Sequence, residues 1–450
     1  MAKKVTIEAK DKPVEANTTA TTIKSSLKGS TTTTSVTNPT TTTSNIQFRI
    51  FVGSYEHNLL CVSLILDPTG AKEPVFQPIF HFQAHSLSIK SIDLAKRYLV
   101  TGSNDEHIRI YDLQKRKELG HLLSHNGTIT TLKFSSEGHD DPKETVDKSG
   151  KWLLSGSEDG KIIIWRTKDW ETFGILKGHT GRINDLAIHP SGKVAISVSQ
   201  DQTIRLWNLM TAKKAAVLKI KGRDHLGQSG SFVRWSLDGN YFVVGLLNQL
   251  LVYKTSSAKI VKKVKLSTSL MCIDIILVED KEWLVVGLGN GVIEFYDFQK
   301  QVVQAIEDDE EKVLDSKPEQ LTSEFELRGH TNRIKGMTYY TEQEVPLLIS
   351  VSSDGKIVVW NLTKDVRDQV AIYDTGERLN CVVASPESIE KMDTMKRRFT
   401  SLEDMRGEED LGGVSESEYE TDGEEIQRIM KGKKKNKKKS KRTKVSVTLE

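Results

Sequence analysis

The sequence predicts an all-β fold, a seven-bladed β-propeller with disordered tails at both ends. Three observations carry this expectation. Between Ile46 and about Pro386, short apolar stretches of strand length alternate with turn residues. The stretches recur as a repeat, and each strong copy carries the same polar and aromatic residues in the same order. Outside that span the chain has almost nothing to bury.

At 450 residues, 37% of them hydrophobic, the chain has enough apolar material for a large core. The formal charge of +3 averages over unlike segments and says little about partners, because acidic and basic residues are each concentrated near the C-terminus. Cys61, Cys272 and Cys381 lie far apart in apolar runs without the spacing of a zinc site, which predicts buried, reduced thiols. Lys3 and Lys4 lead into acidic and Thr-rich sequence without the apolar core of a signal peptide. No stretch approaches the ~20 uninterrupted apolar residues of a membrane helix. The expectation is a soluble, unsecreted protein with no cofactor, no metal, no small-molecule substrate and no membrane contact.

Residues 1–45, dominated by Thr, Ser and Lys, read as a disordered tail. The repeats then fill residues 46–386. The clearest copy contains His179, Ser197, Asp201 and Trp207, and a second contains His330, Ser350, Asp354 and Trp360. A third, interrupted by an insertion, has His125, Ser155, Asp159 and Trp165; a fourth has His85, Thr101, Asp105 and Tyr111. Two weaker copies end at Tyr253 and at Tyr296-Asp297, with Asn248 and Asn290 at the tight turn. A partial copy, Phe48 to Tyr55 and Leu59 to Leu66, opens the domain and brings the number of blades to seven. It lacks an innermost strand, and the segment 378–384 is expected to supply it, since an open ring would leave strand edges unpaired.

A Ser, a His and an Asp together invite a hydrolase reading, because a base oriented by a carboxylate can activate a hydroxyl. Here the group recurs four times, whereas a nucleophile needs one exposed copy beside an oxyanion hole. The stronger reading is structural: a relay from Asp to His to Ser to the indole N–H satisfies buried polar groups and locks the turns of each blade. Gly287 to Gly291 lies between two strands with no following helix, so it is a turn and not a phosphate loop.

Turns of a four-stranded blade alternate between the faces of the disc, which places the insertions Ser135 to Gly150 and Glu307 to Ser323 on one face. The opposite face carries short turns with Asn104, Glu158, Arg182, Gln200, Arg333 and Ser353, a polar rim where a partner can dock. Lys213, Lys214, Lys219, Lys221 and Arg223, followed by Lys259, Lys262, Lys263 and Lys265, map to neighbouring outer strands. Lysines there are expected to block edge pairing rather than to form a belt for RNA phosphates.

Residues 387–450 read as a second disordered tail, acidic between Glu403 and Glu425 and intensely basic from Lys431 to Lys444. Lys433, Lys434, Lys435, Lys437, Lys438, Lys439, Lys441 and Arg442 are too dense to fold on themselves and suit nuclear import or a nucleic-acid arm. Ser415, Ser417 and Thr421 each precede an acidic residue by three positions, a pattern suited to acid-directed kinases.

Particular stretches are more specific than a generic WD40 repeat. Val52-Gly53-Ser54-Tyr55-Glu56, Asp105-Glu106-His107-Ile108-Arg109-Ile110-Tyr111-Asp112, the run from His125 to Phe134, and Ile188-His189-Pro190-Ser191-Gly192-Lys193 resemble one family. It is the WD40 family called Mak-eleven in fungi and PAK-interacting protein in animals, and the resemblance covers most of Phe48 to Pro386. It implies a non-enzymatic nucleolar factor for assembly of the large (60S) ribosomal subunit, with pre-60S proteins as partners. Pre-rRNA is then a partner expected through the basic tail. The alternative it carries is a signalling adaptor that binds and inhibits a p21-activated-type kinase.

Overall fold

The computed structural model describes residues 45–67, 72–136, 150–220, 227–303 and 317–387. The expected tails, the body of both insertions, and Lys221 and Arg223 lie outside these residues. Among the described residues the chain forms seven antiparallel sheets around one axis, a seven-bladed propeller. Blades two, three and four use consecutive strands, running inward to outward from Ile89–Ala95, Ile129–Phe134 and Ile183–Ile188. Blades five, six and seven start from Phe232–Trp235, Leu270–Val278 and Ile334–Glu342.

The burial of each strand follows its place. Second strands such as Trp152–Ser157 and Val194–Ser199 are buried along nearly their whole length, as their continuous apolar and small residues require of strands covered on both sides. Outer strands such as Lys213–Lys219 alternate exposed and half-buried residues. The core is divided into seven clusters, each made by residues of two adjacent blades. Ile163 and Trp165 of blade three, for example, pack with Val100 and Ile110 of blade two. A blade therefore has no private core; its apolar face is buried only by its neighbour.

Ring closure comes from the ends of the chain. Blade one is ordered Leu379–Pro386, Ile46–Ser54, Asn58–Leu66, Val75–Gln83, so the last strand is innermost and pairs antiparallel with the first. Each innermost strand touches the next, and Leu379–Pro386 bridges blade seven to blade two. Close approach between blades depends on glycine: a Cβ on Gly102 would lie 2.5 Å from Ile129 Cγ2, and one on Gly53 2.6 Å from Ile89 Cγ2.

Two expectations need correction. The outer strand of blade five, Lys259–Lys265, is not a lysine-blocked edge: Glu319–Gln320 pairs parallel with it at Val264 and Lys265. Lys262 and Lys263 are buried there, and the Lys262 ammonium donates to the Gln301 carbonyl at 2.7 Å and pairs with Glu319 at 3.4 Å. The connection between the third and fourth strands of blade six folds over this edge and takes up the charge, so no continuous basic belt reaches solvent. The three cysteines are free thiols, but Cys381 is only half-buried.

Ending the chain before Arg378 removes the innermost strand of blade one and uncovers two inter-blade clusters. The lost burial and strand pairing exceed the ~5 to 15 kcal/mol net stability typical of domains. The truncated protein should show no cooperative melt at the full-length temperature in calorimetry; an unchanged melt would contradict closure by this strand.

Candidate interaction surface

The tetrads are assembled within single blades. His125 Nε2 lies 2.8 Å from Ser155 Oγ and its Nδ1 3.2 Å from Asp159; the Trp165 indole N–H donates to Ser155 Oγ at 2.9 Å. His179 repeats this with Asp201 at 2.9 Å and Ser197 at 2.7 Å, and Trp207 donates to Ser197 at 2.8 Å. His330 does so with Asp354 at 3.1 Å and Ser350 at 2.9 Å, closed by Trp360 at 2.8 Å. Since a carboxylate only accepts, the imidazole proton sits on Nδ1; Nε2 then accepts the serine proton, and the serine oxygen accepts the indole N–H. The relay is saturated. All three serines are fully buried, so no substrate reaches the hydroxyl.

Blade two departs from the pattern. His85 bonds Asp105 at 2.9 Å and Thr101 at 2.8 Å, but the buried Tyr111 hydroxyl makes no hydrogen bond of accepted geometry. A phenol cannot stand in for the indole donor at this position.

The carboxylates join the relay to the surface. Asp201 accepts backbone N–H groups from Thr180, in the loop entering the blade, and from Thr203, past the turn between its second and third strands. Asp159 and Asp354 do the same through Asn126 and Lys161, and through Thr331 and Lys356. Burial opposes ionisation of Asp201, yet the bonds from Thr203, His179 and Thr180 outweigh it and hold the carboxyl at about 2. Asp105, Asp159 and Asp354 are likewise held below the ordinary range against their burial. Burial keeps His125, His179 and His330 below the ordinary histidine value despite their carboxylate neighbours.

These turns and loops make one face, here called upper, and the six rim residues fall on four repeated sites. The backbone N–H of Gln200 donates to the Arg182 carbonyl at 2.8 Å, and that of Ser353 to the Arg333 carbonyl at 3.2 Å. Asn104 and Glu158 occupy the matching turns, bonded to the carbonyls of Ser88 and Thr128. Glu158, Gln200 and Arg333 are exposed, and Asn104, Arg182 and Ser353 half-buried. The basic residues Lys433 to Arg442 lie outside the described residues. Sequence reading missed Asp185, which ties blades together: its carboxylate accepts the Val233 N–H at 3.1 Å and pairs with Arg234 at 2.6 Å. Its short alternating strand gave no sign of a partner in the next blade.

Asp201→Ala leaves His179, Thr180 N–H and Thr203 N–H without their acceptor. A loss of roughly 1 to 3 kcal/mol in chemical denaturation is expected; a variant as stable as the parent would contradict the structural role. Acid should act on the same groups. The unfolded chain protonates its histidines near the ordinary value of ~6.5, while the buried ones resist, so the unfolded state binds more protons and stability falls as pH drops below that value. The depressed carboxylates add a second loss as pH falls from ~4 toward their folded values. Denaturation midpoints that stay level from neutral to mildly acidic pH would contradict this assignment.

The comparisons with known proteins agree with this architecture. The family model "WD domain, G-beta repeat" matches residues 76–112, 116–166, 170–208 and 321–361. The chain is 50% identical to "Protein MAK11" of Saccharomyces cerevisiae over 420 residues, 90% of this chain and 98% of that protein. It is 34% identical to "p21-activated protein kinase-interacting protein 1-like" of Gallus gallus over 309 residues, 68% of this chain and 72% of that protein. "Shk1 kinase-binding protein 15" of Schizosaccharomyces pombe is 26% identical over 387 residues, 82% of this chain and 95% of that protein. The chain thus belongs to the WD40-repeat family that holds yeast MAK11 and the p21-activated protein kinase-interacting proteins.

Proposed function

We propose that this protein is a non-catalytic scaffold in nucleolar assembly of the large ribosomal subunit, holding assembly proteins on its propeller and pre-rRNA through the basic segment Lys431 to Lys444. The observation that carries the reading is the kinship over nearly the full length of MAK11, together with the role that the family resemblance implies. The geometry supports a platform: the Ser, His and Asp groups that could do chemistry are consumed by internal hydrogen bonds, and a rigid polar face is left for docking. The names of the animal and fission-yeast relatives favour a second reading, an adaptor that binds and inhibits a p21-activated-type kinase.

Sedimentation of cell extracts separates the two. On the first reading the tagged protein migrates with 60S precursors and accumulates in the nucleolus. Migration with a kinase away from those particles would favour the second.

Replacing Lys433 to Lys439 by neutral residues should reduce nuclear or nucleolar accumulation and leave the melting temperature unchanged. A run of like charge repels itself and contributes no packed element, so it acts outward. If it also touches RNA, the salt dependence of ribosomal RNA binding should flatten in this variant. Unaltered localisation and particle association would remove the segment from the proposal.

A further inference from the structure

The innermost strands share an irregularity that aims side chains at the axis. On six of the seven, the register with the second strand slips by one residue just after the strand begins. The extra residue is Asn380, Lys90, Thr130, Asn184, Met271 and Lys335 in blades one, two, three, four, six and seven. A bulge leaves its extra residue out of the ladder and re-aims its side chain. These residues therefore ring the upper mouth of the central channel.

The neutral polar members are all spoken for. Asn380 donates to the Ile89 carbonyl at 2.9 Å, Asn184 to that of Gly230 at 2.7 Å, and Thr130 to that of Gly156 at 3.0 Å. The two lysines differ: among the described residues neither ammonium has a hydrogen-bond or ion-pair partner. Arg182, Arg333 and Arg378, each just ahead of an innermost strand, add charge around them, and none of their guanidiniums is paired among the described residues. The cations share one space. Desolvation and then the Arg182 charge hold Lys90 below its ordinary value although it stays open to solvent; desolvation, Arg333 and then Lys90 do so for Lys335.

We propose that the upper mouth of the channel is an anion-binding site that takes the carboxylate side chains of an acidic peptide segment of a partner protein, with Lys90 and Lys335 at its centre. Like charges gathered without counter-charges destabilise the free protein and are relieved when an anion enters. A peptide fits better than a nucleic acid for three reasons. The cations converge on an axis instead of forming the stripe that tracks a phosphate backbone. Tyr55, Leu87 and Leu247 are exposed on the same face, offering apolar contact to a peptide. Glu106 and Glu158, exposed in its turns, would repel a polyphosphate crossing it. The site is independent of which assembly the protein joins.

The test uses the full chain and its Lys90→Gln/Lys335→Gln double variant, with a fluorescein-labelled oligo-glutamate peptide and a labelled single-stranded RNA as probes in anisotropy titrations. Charge-assisted hydrogen bonds at two sites predict peptide binding weakened by about tenfold or more, recovery in Lys90→Arg/Lys335→Arg, and RNA affinity unchanged. The glutamine variant should melt no lower than the parent, since it loses no internal partner. Unchanged peptide affinity would overturn the proposal. Equal loss for both probes, or loss for RNA alone, would overturn it in favour of a general polyanion or nucleic-acid surface. A clearly lower melting temperature would also overturn it, by showing that the lysines support the ring.

Discussion

Everything in this molecule depends on the pairing of Leu379–Pro386 with Ile46–Ser54, strands from opposite ends of the propeller sequence. Because every apolar cluster is shared by two blades, the arrangement is stable only when the last blade meets the first. An open row of seven blades would expose two apolar faces and two strand edges, whereas the ring exposes none of the faces. Burial, glycine placement and the flat radial order of the blades all follow from that closure.

The His, Ser and Trp relays and the Asp carboxylates that cap them transmit this rigidity to the upper face. Each carboxylate holds both the loop entering a blade and the turn beside it, so the rim residues are fixed to the core by charge-assisted bonds. The same bonds explain why a constellation that resembles a catalytic triad is inert: a saturated, fully buried hydroxyl has neither a free lone pair to deliver nor room for a substrate. The relay in blade two, ending at Tyr111, shows that the loop-holding half works without the indole half.

How much was legible depends on whether an interaction repeats or runs between distant segments. The tetrad of Trp207 could be read because its members recur at similar spacing in other blades, and the alternation of faces located Arg182 and Arg333. The fate of Lys262 could not, since only folding of the segment around Gln301 and Glu319 over blade five makes that edge a paired and covered one. Lys90 and Lys335 were equally silent: in sequence each is a lysine in a short apolar strand, and only the bulge turns it toward the axis. Asp185 belongs with them, for its partners lie one blade away.

The sequence by itself determined the fold class, the number of blades and the family, because these rest on local patterns of apolar residues, turns and repeated polar groups that each segment carries independently. Tertiary structure alone decided which charges are spent and which are free. That outcome depends on neighbours contributed by other blades and on one-residue slips in strand register. A buried lysine that meets a carbonyl and a carboxylate becomes scaffold, while one that meets only other cations at the mouth of a closed ring remains available to bind.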